Sequence, residues 1–368
     1  MRNSRKGALV AITLAAAWTS NAHAQQQAQG FAVERFYPSA PGGGWLVMDT
    51  LDMRGGIGGA AGLTISYAHD PLRIATTNGS QHLTVVSDEA LADFGFAATY
   101  GRFRLYLNLD APLVMSGQSG TVGDYSFTAP TGNPSATPDA LADARVGFDA
   151  RLAGDAKSAF RLGAGAQLYV PFTGDASNYL TDGTYRAMGR LLFAGDVGSF
   201  TYAAQLGVHI RPRDDAPAPG PQGSELLFGV AAGARIAVPG LPSTSIIVGP
   251  EVYGASAFRS FLGTDGTALE GLLSGRLEGT ADDGRQYRLK LGVGAGLNPH
   301  FGEPEWRFVI GIELFDHSTD RDKDGVFDSK DACPDVPGVK TKDASTNGCP
   351  VEPGGDATPG SAQPAKPE

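Results

Sequence analysis

Cysteine is missing from the first 332 residues of this 368-residue chain, which holds only Cys333 and Cys349. Most of the fold must therefore stand without disulfides or a cysteine metal cluster, and no cysteine follows the leader to carry a lipid anchor. Long apolar runs are missing too. Past the leader no stretch approaches 18 uninterrupted apolar residues, so no membrane-spanning helix is expected. Charge is sparse, at 18% of residues, and the formal net charge of −10 excludes the basic footprint of a nucleic-acid binder. Histidine is scarce: of six, only His209 falls inside a clear strand pattern, on a polar face with Gln205 and Arg211. No Ser or Asp is placed to pair with it as nucleophile and orienter, so the chain is not expected to be an enzyme.

Glycine is what the chain has in quantity, 51 residues, scattered among short apolar runs and turn residues with a mean hydropathy of −0.13. That pattern describes an all-β protein. The start reads Met1-Arg2-Asn3-Ser4-Arg5-Lys6, an apolar run from Gly7 to Trp18, then Ala22-His23-Ala24. A basic region, a short apolar core and an A-x-A site make residues 1–24 a signal peptide, so the protein is exported.

Between residues 141 and 153 every second residue is apolar (Ala142, Ala144, Val146, Phe148, Ala150, Leu152), and the intervening face carries Asp143, Arg145, Asp149 and Arg151. The period of two marks a strand with one greasy and one charged side. About twelve such strands recur, near 60–69, 90–100, 102–115, 141–153, 158–172, 185–196, 199–212, 224–238, 244–256, 267–279, 285–298 and 304–315. Many are long enough to cross a bilayer when tilted, and their number is even, as a bacterial single-chain barrel requires. Connections after the second, fourth, sixth, eighth and tenth strands are short and those after the odd strands longer, the asymmetry of a barrel with a periplasmic and an outer end. On this reading both chain ends lie in the periplasm. The second face mixes Arg102, Arg104, Arg145, Arg151, Arg161, Arg190, Arg211, Arg288, Lys290 and Arg307 with Asp93, Asp143, Asp149, Glu225, Glu251, Glu270 and Glu313, which suits a wet or salt-bridged lumen. A lumen of twelve strands can also be filled, by side chains or by the roughly 35-residue segment before the first strand. Tyr100, Phe103, Phe172, Tyr185, Phe200, Tyr253, Tyr287 and Trp306 fall near strand ends, where interfacial girdles are expected. The glycines of Gly292-Val293-Gly294-Ala295-Gly296 read as small residues inside a crowded barrel rather than a nucleotide loop, since no helix follows.

The sharpest local motif is Asp320-Arg321-Asp322-Lys323-Asp324-Gly325-Val326, continuing through Asp328 and Asp331 to Cys333-Pro334. Asp at positions 1, 3 and 5, a carbonyl at 7, a further Asp at 9 and a carboxylate at 12 supply the oxygens a calcium ion wants, and Gly325 the sharp turn. The expected ligands are Asp320, Asp322, Asp324, Val326, Asp328 and Asp331. Cys333 and Cys349 read as a disulfide, whose loop closure stabilises by about 3 kcal/mol. Residues 351–368, rich in Pro, Gly and Ala, read as a disordered tail.

The D-x-D-x-D-G loop running into Cys-Pro resembles a thrombospondin type 3 repeat. Leader, barrel and repeat together resemble the outer-membrane protein A-like proteins of Gram-negative bacteria. In that family the repeat joins the barrel to a peptidoglycan-binding domain, and no residues here match that domain's motif, so wall anchoring does not carry over. The expected organisation is a signal peptide (1–24), an N-terminal periplasmic segment (25–57), a transmembrane antiparallel β-barrel (58–315), a periplasmic calcium-binding repeat (316–350) and the tail. The function that follows is a non-enzymatic envelope structural protein or narrow porin-like pore. Its partners would be outer-membrane lipid, the barrel assembly machinery, and other envelope proteins or small solutes. The alternative is a secreted β-sandwich or adhesive binding protein with a calcium-stabilised linker.

Overall fold

The structure is a computed structural model, and it describes residues 26–350 apart from 54–55, 131–141, 157, 173, 214–222, 265, 281–284, 299–301, 319–321, 323 and 327. The signal peptide, the tail and Asp320 lie outside the described residues.

Twelve long antiparallel strands close into one barrel. They are β2 (Ile57–Ala75), β3 (His82–Tyr100), β4 (Phe103–Ser116), β7 (Ala144–Ala153), β8 (Arg161–Val170), β9 (Arg186–Val197), β10 (Phe200–Ile210), β11 (Glu225–Val238), β12 (Leu241–Ala257), β13 (Thr267–Thr280), β14 (Gln286–Gly296) and β15 (Trp306–Ser318). Each pairs with its neighbour in sequence, and β15 pairs with β2 to seal the wall. A closed sheet leaves no edge, the condition for strands to cross a lipid bilayer. One closed sheet also rules out the two packed sheets of the sandwich alternative. Three short strands, β1 (Gln26–Gln27), β5 (Gly120–Val122) and β6 (Tyr125–Phe127), form a separate small sheet in the order β1-β6-β5.

The alternation in the sequence is what builds the wall. Along β15, Phe308, Ile310, Ile312 and Leu314 are exposed on the outer surface, while Arg307, Val309 and Glu313 are buried inside. Its neighbour β14 turns Leu289, Leu291 and Val293 outward and Arg288 and Lys290 inward, and register sets Arg288 opposite Glu313. The outer belt continues round the barrel through Phe94, Phe96, Leu105, Phe148, Leu191, Leu206, Val230 and Leu273. In lipid a single Arg or Lys on that belt would cost about 2–4 kcal/mol at mid-depth. The charges on the faces of β14 and β15 accordingly point into the lumen, where Arg288 and Lys290 pair with Glu313.

Several expectations need correction. β2 and β3 run to 19 residues each, well beyond their predicted spans, because the hairpin continues past an irregularity between His69 and Leu72. The connection after β2 is therefore short, and His69 and His82 also fall within strands. Tyr253 is buried inside rather than placed in an outer girdle, since it shares the strand phase of the luminal Glu251. Arg102 pairs with Asp155 at the exposed turn end and does not line the lumen.

The largest correction concerns the residues before the barrel. The segment expected in the periplasm runs through the lumen: Phe31, Val33, Phe36, Ala40, Trp45, Leu46, Met48, Leu51 and Met53 are all buried, packed against inward-facing wall residues. Its first residues lie at the end of the barrel with the longer connections. There β1 runs parallel to β6, and Ala28, Phe31 and Val33 pack with Val122, Phe127, Tyr179 and Leu180. The two ends of the described chain are therefore at opposite ends of the barrel. The leader does not signal this, but a lumen of twelve strands has room for such a segment, and an apolar stretch such as Trp45-Leu46-Val47-Met48 cannot rest in water unburied.

Candidate functional site: an occupied lumen

Residues 28–53 form no regular secondary structure, so their backbone N–H and C=O groups need partners from elsewhere. The wall supplies them. Glu251, fully buried on β12, accepts three consecutive backbone N–H groups, from Leu46 at 2.9 Å, Val47 at 3.0 Å and Met48 at 3.2 Å. Cations from several parts of the barrel take the carbonyls. Arg145 donates to Pro38 O at 2.7 Å, Lys290 to Trp45 O at 3.1 Å, Arg151 to Leu51 O at 3.1 Å and Arg213 to Gly30 O at 2.7 Å. The arginine-rich inner face is thus in large part a set of hydrogen-bond donors for a strandless segment.

Charged side chains of the segment are paired in the same way. Asp49 pairs with Arg104, which also binds Asp149 at 2.9 Å. Glu34 pairs with Arg307 at 2.9 Å, and Arg307 reaches Glu270 at 2.6 Å. Removing one member of such a pair strands a buried charge, at a cost of about 3–5 kcal/mol.

Wall glycines make room for the segment's apolar side chains. A Cβ on Gly292 would stand 2.3 Å from Leu46, and one on Gly229 would stand 2.4 Å from Met48. A larger residue at either position would make the tip of the Leu46 or Met48 side chain move aside while the segment is seated. The glycine of the Gly292–Gly296 run is therefore a socket, in keeping with its reading as a residue inside a crowded barrel.

At the loop end Asp182 accepts from Ala32 N at 2.9 Å and from Arg211 at 2.6 Å. Burial alone would raise its pKa, but Arg211 and Arg186 outweigh burial and hold the carboxyl well below the usual range. Nearby Glu303, 1% exposed, is the reverse case: burial, reinforced by Glu270, pushes it up from 4.5 to about 9 against the pull of Arg307 and Arg35. At neutral pH the folded chain therefore holds a proton that the unfolded chain releases. Stability falls as pH rises from about 4.5 towards about 9, on the order of 3 kcal/mol by pH 7. Denaturant unfolding in micelles at pH 5 and pH 8 should show that loss in the wild type and a flatter profile in Glu303→Gln. An equal slope in both would assign the pH dependence to other groups.

His209 sits deep in the lumen, with Nδ1 3.0 Å from Glu225 and its ring against those of Tyr37 and Tyr169.

Of the predicted metal ligands, the structure brings Asp322, Asp324 and Asp331 together, each offering an oxygen within 4.8 Å of the others. Asp331 Oδ2 is buried with no hydrogen-bond partner, the kind of vacancy in bonding that a cation fills. Val326 is buried and donates its N–H to Asp324, and Asp328 opens a short 3₁₀ turn, Asp328–Lys330. Gly325 takes a φ of 89°, the left-handed conformation the sharp turn demands. Cys333 and Cys349 are joined. A second group, His69, Asp70 and Glu305, was not foreseen from the sequence, because β15 and the β2 bulge bring it together.

No family model matches this sequence, and no curated protein matches it. Solved barrels resemble the fold. An outer membrane channel from Pseudomonas putida F1 is 13% identical over 70% of this chain and 94% of its own, with a TM-score of 0.45. The NanC porin is 6% identical over 68% of this chain and 98% of its own, with a TM-score of 0.40. The CymD monoaromatic hydrocarbon channel is 11% identical over 73% of this chain and 90% of its own, with a TM-score of 0.37.

Proposed function

We propose that this chain is a non-enzymatic outer-membrane barrel of a Gram-negative envelope, a narrow pore held shut by its own N-terminal segment. The observation that carries the reading is the seating of residues 28–53 in the lumen through backbone hydrogen bonds to Glu251, Arg145, Lys290 and Arg151. A segment without strands or helices, tied by polar contacts rather than woven into the wall, is the kind of element that opens without unfolding the barrel. In the shut state the same protein serves as an envelope structural element. Planar-bilayer recording, wild type against a chain lacking the segment, tests the pore; current from neither would sink it.

The turn-bearing end faces the periplasm on this reading, and with it the C-terminal loop that resembles a thrombospondin type 3 repeat. Calcium is its cofactor, held by Asp320, Asp322, Asp324, Val326, Asp328 and Asp331. The clustering of three of those carboxylates and the unpartnered Asp331 Oδ2 support this. Calorimetric titration of the purified protein should show calcium binding that Asp324→Ala weakens at least tenfold, without loss of the barrel's strand signal. Equal affinity in the variant would place the ion elsewhere. Lipid of the outer membrane and the assembly machinery are the partners, with other envelope proteins or small solutes reached through the loops.

A further inference from the structure

The lumen is not filled to its turn end. Below the last seated residues lies a cavity of about 400 Å³, lined by Thr50 and Asp52 of the plug and by four arginines of the wall, Arg161, Arg235, Arg276 and Arg288. That volume falls within the range of small-molecule sites. We infer that this cavity binds a small anion carrying two acidic groups.

The charge arrangement carries the inference. Two lining carboxylates reach all four guanidiniums, and Glu313 of the neighbouring strand takes Arg288 as well, at 2.8 Å. Asp196 takes Arg161 at 2.7 Å and Arg235 at 3.7 Å, and Glu278 takes Arg276 at 2.7 Å, Arg288 at 3.0 Å and Arg235 at 3.1 Å. Asp52 adds a third negative charge to the lining, and Glu313 is matched by Lys290, which leaves one positive charge in surplus among the described residues. Each guanidinium offers five N–H donors in a planar fork built for carboxylate or phosphate oxygens, so donors outnumber the acceptors present. Arg276 Nη1 and Arg161 Nε, on side chains 4% and 1% exposed, have no hydrogen-bond partner. Buried donors of this kind are costly unless met by an acceptor. Two clusters, one round Asp196 and one round Glu278, with Arg235 spanning both, suit two acidic groups better than one. Ser243, Ser245, Thr280 and Gln286 add neutral donors along the rim.

The site has a built-in reporter. Arg276 lies over the Trp45 ring at 4.6 Å, so drawing its guanidinium towards an anion changes the surroundings of that indole. The inference does not depend on conduction, because the cavity exists with the plug seated.

The test uses the folded full-length protein in detergent, with inorganic pyrophosphate as the probe and sodium chloride at matched ionic strength as the control. Trp306→Phe leaves Trp45 as the reporting indole of the exported chain. Saturable one-to-one binding by calorimetry, with a matching Trp45 fluorescence change, is expected. Arg235→Gln, at a side chain 38% exposed, should weaken it about tenfold without unfolding the barrel. Ser245→Ala, milder still, should weaken it by a smaller factor. A response to pyrophosphate no larger than that to chloride would overturn the inference, and so would an unchanged affinity in Arg235→Gln.

Discussion

Excising residues 28–53 is expected to convert a silent barrel into a conducting one. With the segment gone, the lumen loses Trp45, Leu46, Met48, Leu51 and the other buried side chains that fill it, and the wall glycines opposite them face open space. Wild type should give a flat trace in a planar bilayer and the excised chain stable current steps. The steps should favour anions, since Arg104 and Arg307 lose Asp49 and Glu34 as partners. A point variant isolates the latch. Glu251→Ala leaves three buried N–H donors without an acceptor, each costing about 1–3 kcal/mol. That loosens the middle of the segment while Asp49 and Glu34 still hold its ends, so brief openings are expected where the excised chain stays open. Equal steady current from wild type and excised chain would show that the segment does not block. Silence from both would remove the pore and leave the structural role.

The wall was legible in the sequence, and its contents only as an alternative, a lumen filled by side chains or by the segment before the first strand. A strand declares itself by a period of two, and the predicted spans 267–279 and 224–238 differ from β13 (Thr267–Thr280) and β11 (Glu225–Val238) by one residue at one end. Where the phase was read strictly, as at Arg288 and Lys290, the inward face followed. Where it was not, Tyr253 was assigned outward although it stands two residues from Glu251 on the same face. The plug has no period to read. Its fold is imposed by the lumen, because its backbone partners are Glu251, Arg145 and Lys290, more than a hundred residues away. What the sequence did carry was an excess: ten arginines and lysines on a face expected to be wet, and an apolar Trp45-Leu46-Val47-Met48 with no strand to belong to. Each is anomalous alone, and together they describe a segment and its cradle. The acidic loop lies between these cases, since its spacing is local and Asp322, Asp324 and Asp331 lie close together.

The same threading makes the second large prediction, that an epitope placed directly after the leader is displayed at the cell surface. Gln26 and Gln27 pair with Tyr125 and Ser126 at the loop end, and the chain then descends the lumen to Ile57, which pairs with Tyr100 and Ser318 at the turn end. On the proposed orientation, with the turns in the periplasm, Gln26 and Gln27 lie at the outer end of the barrel. An antibody to a tag between Ala24 and Gln26 should label intact cells, and a tag after Pro350 should be labelled only once the outer membrane is permeabilised. Labelling of the C-terminal tag alone would reverse the orientation and put calcium and the arginine cavity outside. Protection of both tags on intact cells would mean that the N-terminus does not reach the surface, and the threaded path from Gln26 to Ile57 would fall.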